Sequence, residues 1–162
     1  MKLETNQIKT LCFIILISIV FSACTKSEND YKNDFLRNEK KIDELYVYLK
    51  SNYMDKYRNN RNRIYFDNCN KKDRKSPKGM CDDFVTEKME ELGLRQISLE
   101  KNFCNQTNEF DEVYLTLDKS SYYPIISYAF NMCKEKIVFE DKTIKLQYLK
   151  PHWSLLIDSS FP

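Results

Sequence analysis

The hydrophobic period of this chain changes at Gly93, and no other feature restricts the fold as much. Before that residue apolar side chains recur every three or four positions, as one face of a helix requires. Beyond it they alternate, as one face of a strand requires. The alternating sets are Ile97/Leu99, Val113/Leu115/Leu117, Ile126/Tyr128/Phe130, Ile137/Phe139, Ile144/Leu146/Tyr148 and Trp153/Leu155/Ile157. These runs lie too close together for parallel crossovers, which take about a dozen residues or more, so neighbouring strands are expected to be antiparallel. Asp141-Lys142 is expected as a tight turn, and Pro124 and Pro151 at strand starts or edges. Helices first and strands after predict an α+β fold, with N-terminal helices packed on one face of a mostly antiparallel β-sheet meander.

The helical half reads in two pieces. From Asp34 to Arg58, Phe35, Ile42, Leu45, Tyr46, Leu49, Tyr53 and Tyr57 share one face, and Lys40, Lys41, Glu44 and Lys50 lie opposite. Asp34 is the expected N-cap and Asn59-Asn60 the expected end. Ile64-Tyr65-Phe66 suits a short strand. A second helix follows, with Asp82 and Asp83 at the positive end of its dipole and Phe84, Val85, Met89 and Leu92 on its inner face. Gly93 is the expected left-handed stop, and Leu94 the apolar residue that contacts the last turn. At 162 residues, with 14% aromatic residues, the chain can build one core; with 2 Gly and 4 Pro it is neither collagen nor a Pro/Gly-rich disordered segment.

The N-terminus reads as an address. Leu11–Phe21 is apolar apart from Ser18, too short at about 1.5 Å per residue to cross a hydrocarbon layer of about 30 Å. Lys2 and Lys9 precede it, and Ser22-Ala23 are the small residues that a signal peptidase accepts. Phe21-Ser22-Ala23-Cys24 resembles the lipobox of bacterial lipoproteins, with Phe where Leu is usual. The resemblance implies a lipid on the Cys24 thiol and cleavage before it. Residues 1–23 are then the signal peptide, 24–33 a polar flexible tether and 34–162 a single α+β domain. It also implies a lipid-anchored protein of the cell envelope. Thr25 stands where an Asp would retain a lipoprotein in the inner membrane, so the outer membrane is favoured.

Export bears on the remaining cysteines, because disulfides form in oxidising compartments. Cys69, Cys81, Cys104 and Cys133 predict two disulfides in one of three connectivities, with Cys69–Cys81 and Cys104–Cys133 preferred. A zinc site is the alternative. It lacks a Cys-x-x-Cys spacing and has His152 as the single His, so no metal and no cofactor is expected.

The formal net charge of +2 hides an uneven distribution. Residues 56–78 hold nine Lys/Arg (Lys56, Arg58, Arg61, Arg63, Lys71, Lys72, Arg74, Lys75, Lys78) against Asp67 and Asp73, and residues 79–118 are acidic by a similar margin. Two solvated or mutually neutralising surfaces account for this pattern. A basic patch for anionic lipid or an acidic protein partner is the functional version. Nucleic acid is not an expected partner of an exported domain.

Chemistry is weakly signalled. Cys81-Asp82-Asp83-Phe84-Val85 at a helix start, with His152-Trp153-Ser154-Leu155-Leu156-Ile157 later, resembles in part the papain-like cysteine peptidases that act on the cell wall. That resemblance implies Cys81 as nucleophile and His152 as base. The family has Asp-Cys-Ser-Gly where this chain has Met80-Cys81-Asp82-Asp83, and two carboxylates after the Cys oppose thiolate formation. Two glycines preclude a Gly-rich phosphate loop. The expected role is therefore binding, protective or structural, with no catalytic residue assigned and a cysteine hydrolase as the alternative.

Overall fold

The structure is a computed structural model, and it describes residues 26–54, 63–69, 79–101, 110–117 and 124–160. The chain divides into two units, Met1–Asn33 and Asp34–Pro162.

In the first unit the chain enters helix α1 (Glu28–Arg37) through a capping box. The Asp30 N–H donates to Ser27 Oγ at 3.3 Å, and the Ser27 N–H and hydroxyl donate to Asp30 Oδ2 at 2.7 and 2.8 Å. Two orphan donors of the first turn are thereby satisfied. Residues Glu28–Asn33 are thus helical, not the flexible tether expected from their polarity.

In the second unit the expected single helix is broken. α1 ends at Arg37, and α2 (Glu39–Leu49) begins after Asn38. The Asn38 N–H is shared between the Asp34 and Phe35 carbonyls, both at 3.1 Å, and the Asn38 side chain also donates to the Asp34 carbonyl at 2.9 Å, so the turn tightens at this residue. Asp34 therefore lies inside a helix rather than capping one. A π-helical turn, Lys50–Met54, extends α2 and rotates Tyr53 and Met54 into the core. The expected Asn59-Asn60 end lies outside the described residues.

Helix α3 (Asp83–Glu91) forms as its sequence predicts. Asp82 is the N-cap, accepting the Val85 N–H at 2.9 Å through Oδ1. Gly93 follows with φ 61, the left-handed stop.

One seven-stranded antiparallel sheet completes the α+β fold. Its strands are β1 (Arg63–Asp67), β2 (Leu94–Glu100), β3 (Glu112–Leu117), β4 (Ile125–Asn131), β5 (Phe139–Glu140), β6 (Ile144–Lys150) and β7 (Trp153–Asp158), in spatial order β1-β2-β3-β4-β7-β6-β5. The meander runs through β1–β4, and then the last three strands return in reverse, with β7 beside β4. Register places Phe66, Ile97, Leu115, Tyr128 and Leu155 opposite one another in one row. This face meets the helices. Phe35 lies 5.1 Å from Tyr128 and 5.6 Å from Trp153 between ring centroids, Tyr46 lies 4.2 Å from Phe130, and Tyr53 lies 4.7 Å from Phe66.

Two expectations for the strands change. Ile137 is not in a strand, because its carbonyl accepts the Ser154 hydroxyl at 3.2 Å as residues 132–138 cross the far face of β7. His152 is in the β6–β7 turn, not in a strand. Pro151 fixes the first central position, and His152 takes φ 67 at the second, the sign pattern of a type II turn. Asp141 closes the β5–β6 turn as expected, its Oδ1 accepting the N–H groups of Thr143 and Ile144 at 2.7 and 2.6 Å.

Asp82 does more than cap α3. Its Oδ2 also accepts the hydroxyls of Tyr48 (2.9 Å) and Tyr53 (2.5 Å). Burial pushes this carboxyl up, but the bonds from Tyr53, the Val85 N–H, Tyr48 and the Phe84 N–H outweigh burial and hold it below the ordinary aspartate range. A carboxyl whose pKa falls on folding stabilises the fold above its unfolded pKa, and that stability is lost as pH drops through the folded value. Asp82→Ala is expected to cost about 1–2 kcal/mol at neutral pH, with the difference from the parent shrinking below pH 3.8. Urea denaturation at neutral and acid pH checks this; an undiminished difference at acid pH would contradict it.

Candidate functional site

The densest polar constellation among the described residues lies on the sheet face away from the helices. Cross-strand register builds it. Arg63 stands opposite Glu100, Glu100 opposite Glu112, and Glu112 opposite Asn131, so four consecutive strands contribute one row. Tyr65, Ser98 and Tyr114 form the adjacent row. Placing two glutamates directly opposite each other is unfavourable unless each finds a donor, and each does. Glu100 accepts Arg63 Nη2 at 2.5 Å and the Ser98 hydroxyl at 3.3 Å. Glu112, which is buried, accepts Asn131 Nδ2 at 2.5 Å on one oxygen and the Tyr114 hydroxyl at 2.8 Å on the other. Asn131 Oδ1 in turn accepts the N–H groups of Cys133 and Lys134 at 2.9 and 3.1 Å, fixing the turn out of β4. Arg63 also donates to the Tyr65 hydroxyl at 2.8 Å.

Burial, reinforced by the Glu112 charge, pushes the Tyr114 phenol far above its ordinary value, so it is a permanent donor. The hydrogen bonds to Glu100 and Tyr65 keep the Arg63 guanidinium charged. Arg63 and Tyr65 are exposed, Glu100 and Tyr114 are half-buried, and Ser98, Glu112 and Asn131 are buried. The arrangement therefore presents a guanidinium and a phenol at its rim over an interior whose donors and acceptors engage one another. Such a rim can recognise a ligand by hydrogen bonding; its interior groups are committed to each other rather than poised for proton transfer. Among the described residues no group of three His, Cys, Asp or Glu side chains is placed to hold a metal ion.

The residues singled out in the sequence fall elsewhere. Cys69 and Cys81 are joined, with Cα atoms 5.9 Å apart, as the preferred connectivity has it. Cys133 is also disulfide-bonded, and its expected partner Cys104 lies outside the described residues. Cys24 lies outside them too, as do all the cations of the basic segment except Arg63. The bonded Cys81 offers no thiol to a base. It lies beside β1, since Met80 bridges Phe66, whereas His152 belongs to the turn before β7, four strands away across about 19 Å. His152 Nδ1 instead pairs with the Asn131 carbonyl at 3.0 Å. The peptidase-like constellation is not assembled. What the sequence reading missed is the polar row. Its only signal is that Gln96, Ser98 and Glu100 alternate with apolar residues, as do Glu112, Tyr114 and Thr116. Which of them meet depends on register.

Comparison of the chain with known protein families, with curated proteins and with solved structures gives no match.

Spectrophotometric titration tests the network. The Tyr114 phenol is expected to stay protonated where exposed phenols ionise, and to titrate only on unfolding. Tyr114→Phe should remove that late amplitude and cost about 1–2 kcal/mol, because a Glu112 oxygen loses its donor. An unchanged alkaline titration would overturn the assignment.

Proposed function

We propose that this chain is a bacterial lipoprotein, anchored through a lipid on Cys24, whose α+β domain has a binding, protective or structural role in the cell envelope. The observation that carries the proposal is the order Leu11–Phe21, Ser22-Ala23, Cys24: an apolar run too short to span, small residues, then an acylatable thiol. The Cys69–Cys81 bond supports it, because such bonds persist in oxidising compartments outside the cytosol. No described helix is long and apolar enough to cross a membrane, and the proposed anchor does not need one. Two or three acyl chains suffice, at about 0.8 kcal/mol per buried CH₂. Thr25 after the Cys favours the outer membrane over the inner. A binding role rather than a catalytic one is supported by the bonded Cys81 and by the mutually satisfied polar row.

Cys24→Ala is expected to abolish acylation and lipoprotein-type cleavage and to release the protein from the membrane fraction. Mass spectrometry and membrane fractionation check both. A variant that still matures and partitions with membranes would overturn the anchor.

The anionic-lipid face is proposed at the basic segment. Cys69 and Cys81 bound a stretch of sequence that holds Lys71, Lys72, Arg74, Lys75 and Lys78, so the disulfide ties together the two ends of a cation-rich segment. Each cation near an anionic surface contributes about 1 kcal/mol and is screened beyond about 8 Å at physiological salt. The unlipidated domain should bind anionic vesicles weakly and in a salt-sensitive manner, less so when Lys71→Glu, Lys72→Glu and Lys75→Glu are combined. Equal sedimentation with neutral vesicles would leave the segment an ordinary solvated face.

A further inference from the structure

The sheet face away from the helices turns apolar at its β5–β6–β7 end. Trp153 and Leu155 are buried against the helices, so Ser154, Leu156 and Asp158 point the other way. Register carries these positions outward. Phe139, Leu146 and Leu156 form one row, with Tyr148 and Ser154 on one side of it and Ile144 and Asp158 on the other. Half of the large apolar side chains exposed among the described residues gather here: Val138 at 65%, Phe139 at 49% and Tyr148 at 38%. Leu146, Leu156 and Ile144 are half-buried around them. Single exposed apolar residues are ordinary, but a contiguous group marks an interaction surface. The two ends of this patch carry opposite charges. The Lys136 ammonium lies 5.6 Å from the centroid of the Tyr148 ring. At the other end the Asp158 carboxylate accepts the Ser160 N–H at 2.9 Å and the Ser160 hydroxyl. Among the described residues neither Lys136 nor Asp158 forms an ion pair. Adjacent charges cancel in place, with Lys134 next to Glu135 in sequence and Lys145 at 3.6 Å from Glu140. Tyr148 and Ile144 are about 13 Å apart along β6, too far for the two unpaired charges to meet within one copy.

We propose that this face is where two copies of the chain associate, each laying its β5–β6–β7 end on the other. A two-fold axis along the row of Phe139, Leu146 and Leu156 places that row on itself and exchanges the two ends. Lys136 of each copy then meets Asp158 of the other. Residues 132–138, which cross β7 on this face and carry Lys136, lie over the Ile144 end of the second copy. The charges decide the occupant. A uniformly acidic partner would satisfy Lys136 and oppose Asp158, and a uniformly basic one would do the reverse, whereas a second copy satisfies both ends at once. Three strands make a small face, of the class that buries less than about 1,200 Å² in total, so the dimer is transient and concentration-dependent. The association does not require a lipid on Cys24.

The full chain, in detergent with micelles in excess, would be followed by sedimentation equilibrium over a dilution series. An equal mixture of heavy-isotope-labelled and unlabelled copies would then be coupled with a zero-length carbodiimide and mapped by mass spectrometry. A monomer–dimer equilibrium is expected, together with a mixed-isotope peptide that joins Lys136 to Asp158. Lys136→Asp or Asp158→Lys alone should weaken association roughly tenfold or more, because each creates two like-charge contacts per dimer. The two substitutions together should restore it. Phe139→Asp, at an exposed position, should abolish the dimer and leave the far-ultraviolet circular dichroism unchanged. A chain that stays monomeric throughout the series overturns the proposal. So does a dimer that neither charge reversal weakens, or one that survives Phe139→Asp, since another surface would then hold the copies together.

Discussion

The contact of Trp153 with Phe35, Tyr46 and Phe130 is the packing on which the rest of the second unit depends. The ring centroids lie 5.6, 6.2 and 5.2 Å from the indole, and Trp153 and Phe35 are both buried. Aromatic side chains of this size bury about 150–250 Å² each, so this cluster joins α1, α2, β4 and β7 in one place. It also fixes register. A one-residue slip of β7 against β4 would send Trp153 to the opposite face and bring Ser154 toward the helices. The β6–β7 turn holds that register at a local cost. His152 adopts φ 67, which is worth about 1–2 kcal/mol of strain for a residue with a Cβ. It is offset by the Nδ1 contact to the Asn131 carbonyl and by backbone bonds from the His152 N–H to Glu135 and from the Asn131 N–H to the His152 carbonyl. A register shift between Tyr148 and Lys150 then turns Lys150 toward the helices, where its ammonium meets Glu39 at 2.9 Å and Asp43 at 2.8 Å.

The polar row is the complement of that choice. Once the apolar alternates of β1–β4 face the helices, the intervening residues share the other face. Glu100 and Glu112 become cross-strand neighbours whether or not that is favourable. The donors Arg63, Ser98, Tyr114 and Asn131 make the juxtaposition tolerable. Their role is structural, and Arg63 and Tyr65 form the exposed rim of the row.

Much of this was legible in the sequence, and the limits have definite causes. Period alone located β2, β3, β4 and β7, which bury residues against the helices, and also β6, whose apolar alternates Leu146 and Tyr148 stand opposite Leu156 and Ser154 on the other face. Asp82 and Gly93 located α3, because an N-cap acceptor and a left-handed stop are local chemistry. The break at Asn38 was not legible, since an Asn inside a helical stripe gives no sign that its N–H will be shared between the Asp34 and Phe35 carbonyls. The helical start at Glu28 was hidden by polarity. Ser27 and Asp30 have the spacing of a capping box, but residues 24–33 carry no apolar stripe to announce a helix. Ile137 misled for the opposite reason: its alternation with Phe139 is real, but Ser154 claims its carbonyl. The polar row depends on register between strands distant in sequence, which composition does not encode.

The two margins of the sheet narrow how a partner can engage it. On one side Met80 pairs with β1, its N–H donating to the Tyr65 carbonyl at 2.7 Å, while the Gly79 N–H reaches Asp67 at 3.0 Å. Only glycine permits that approach: a Cβ at position 79 would lie 2.7 Å from the Tyr65 oxygen. The Cys69–Cys81 bond ties the same segment down. On the other side β5 is two residues long, and Lys145 pairs with Glu140 beside it at 3.6 Å. Short, charged and covered margins are the means by which sheets avoid edge-to-edge pairing. Among the described residues Met80 and Gly79 occupy the β1 margin at Tyr65 and Asp67, while β5 pairs only with Lys145 and Leu146 of β6.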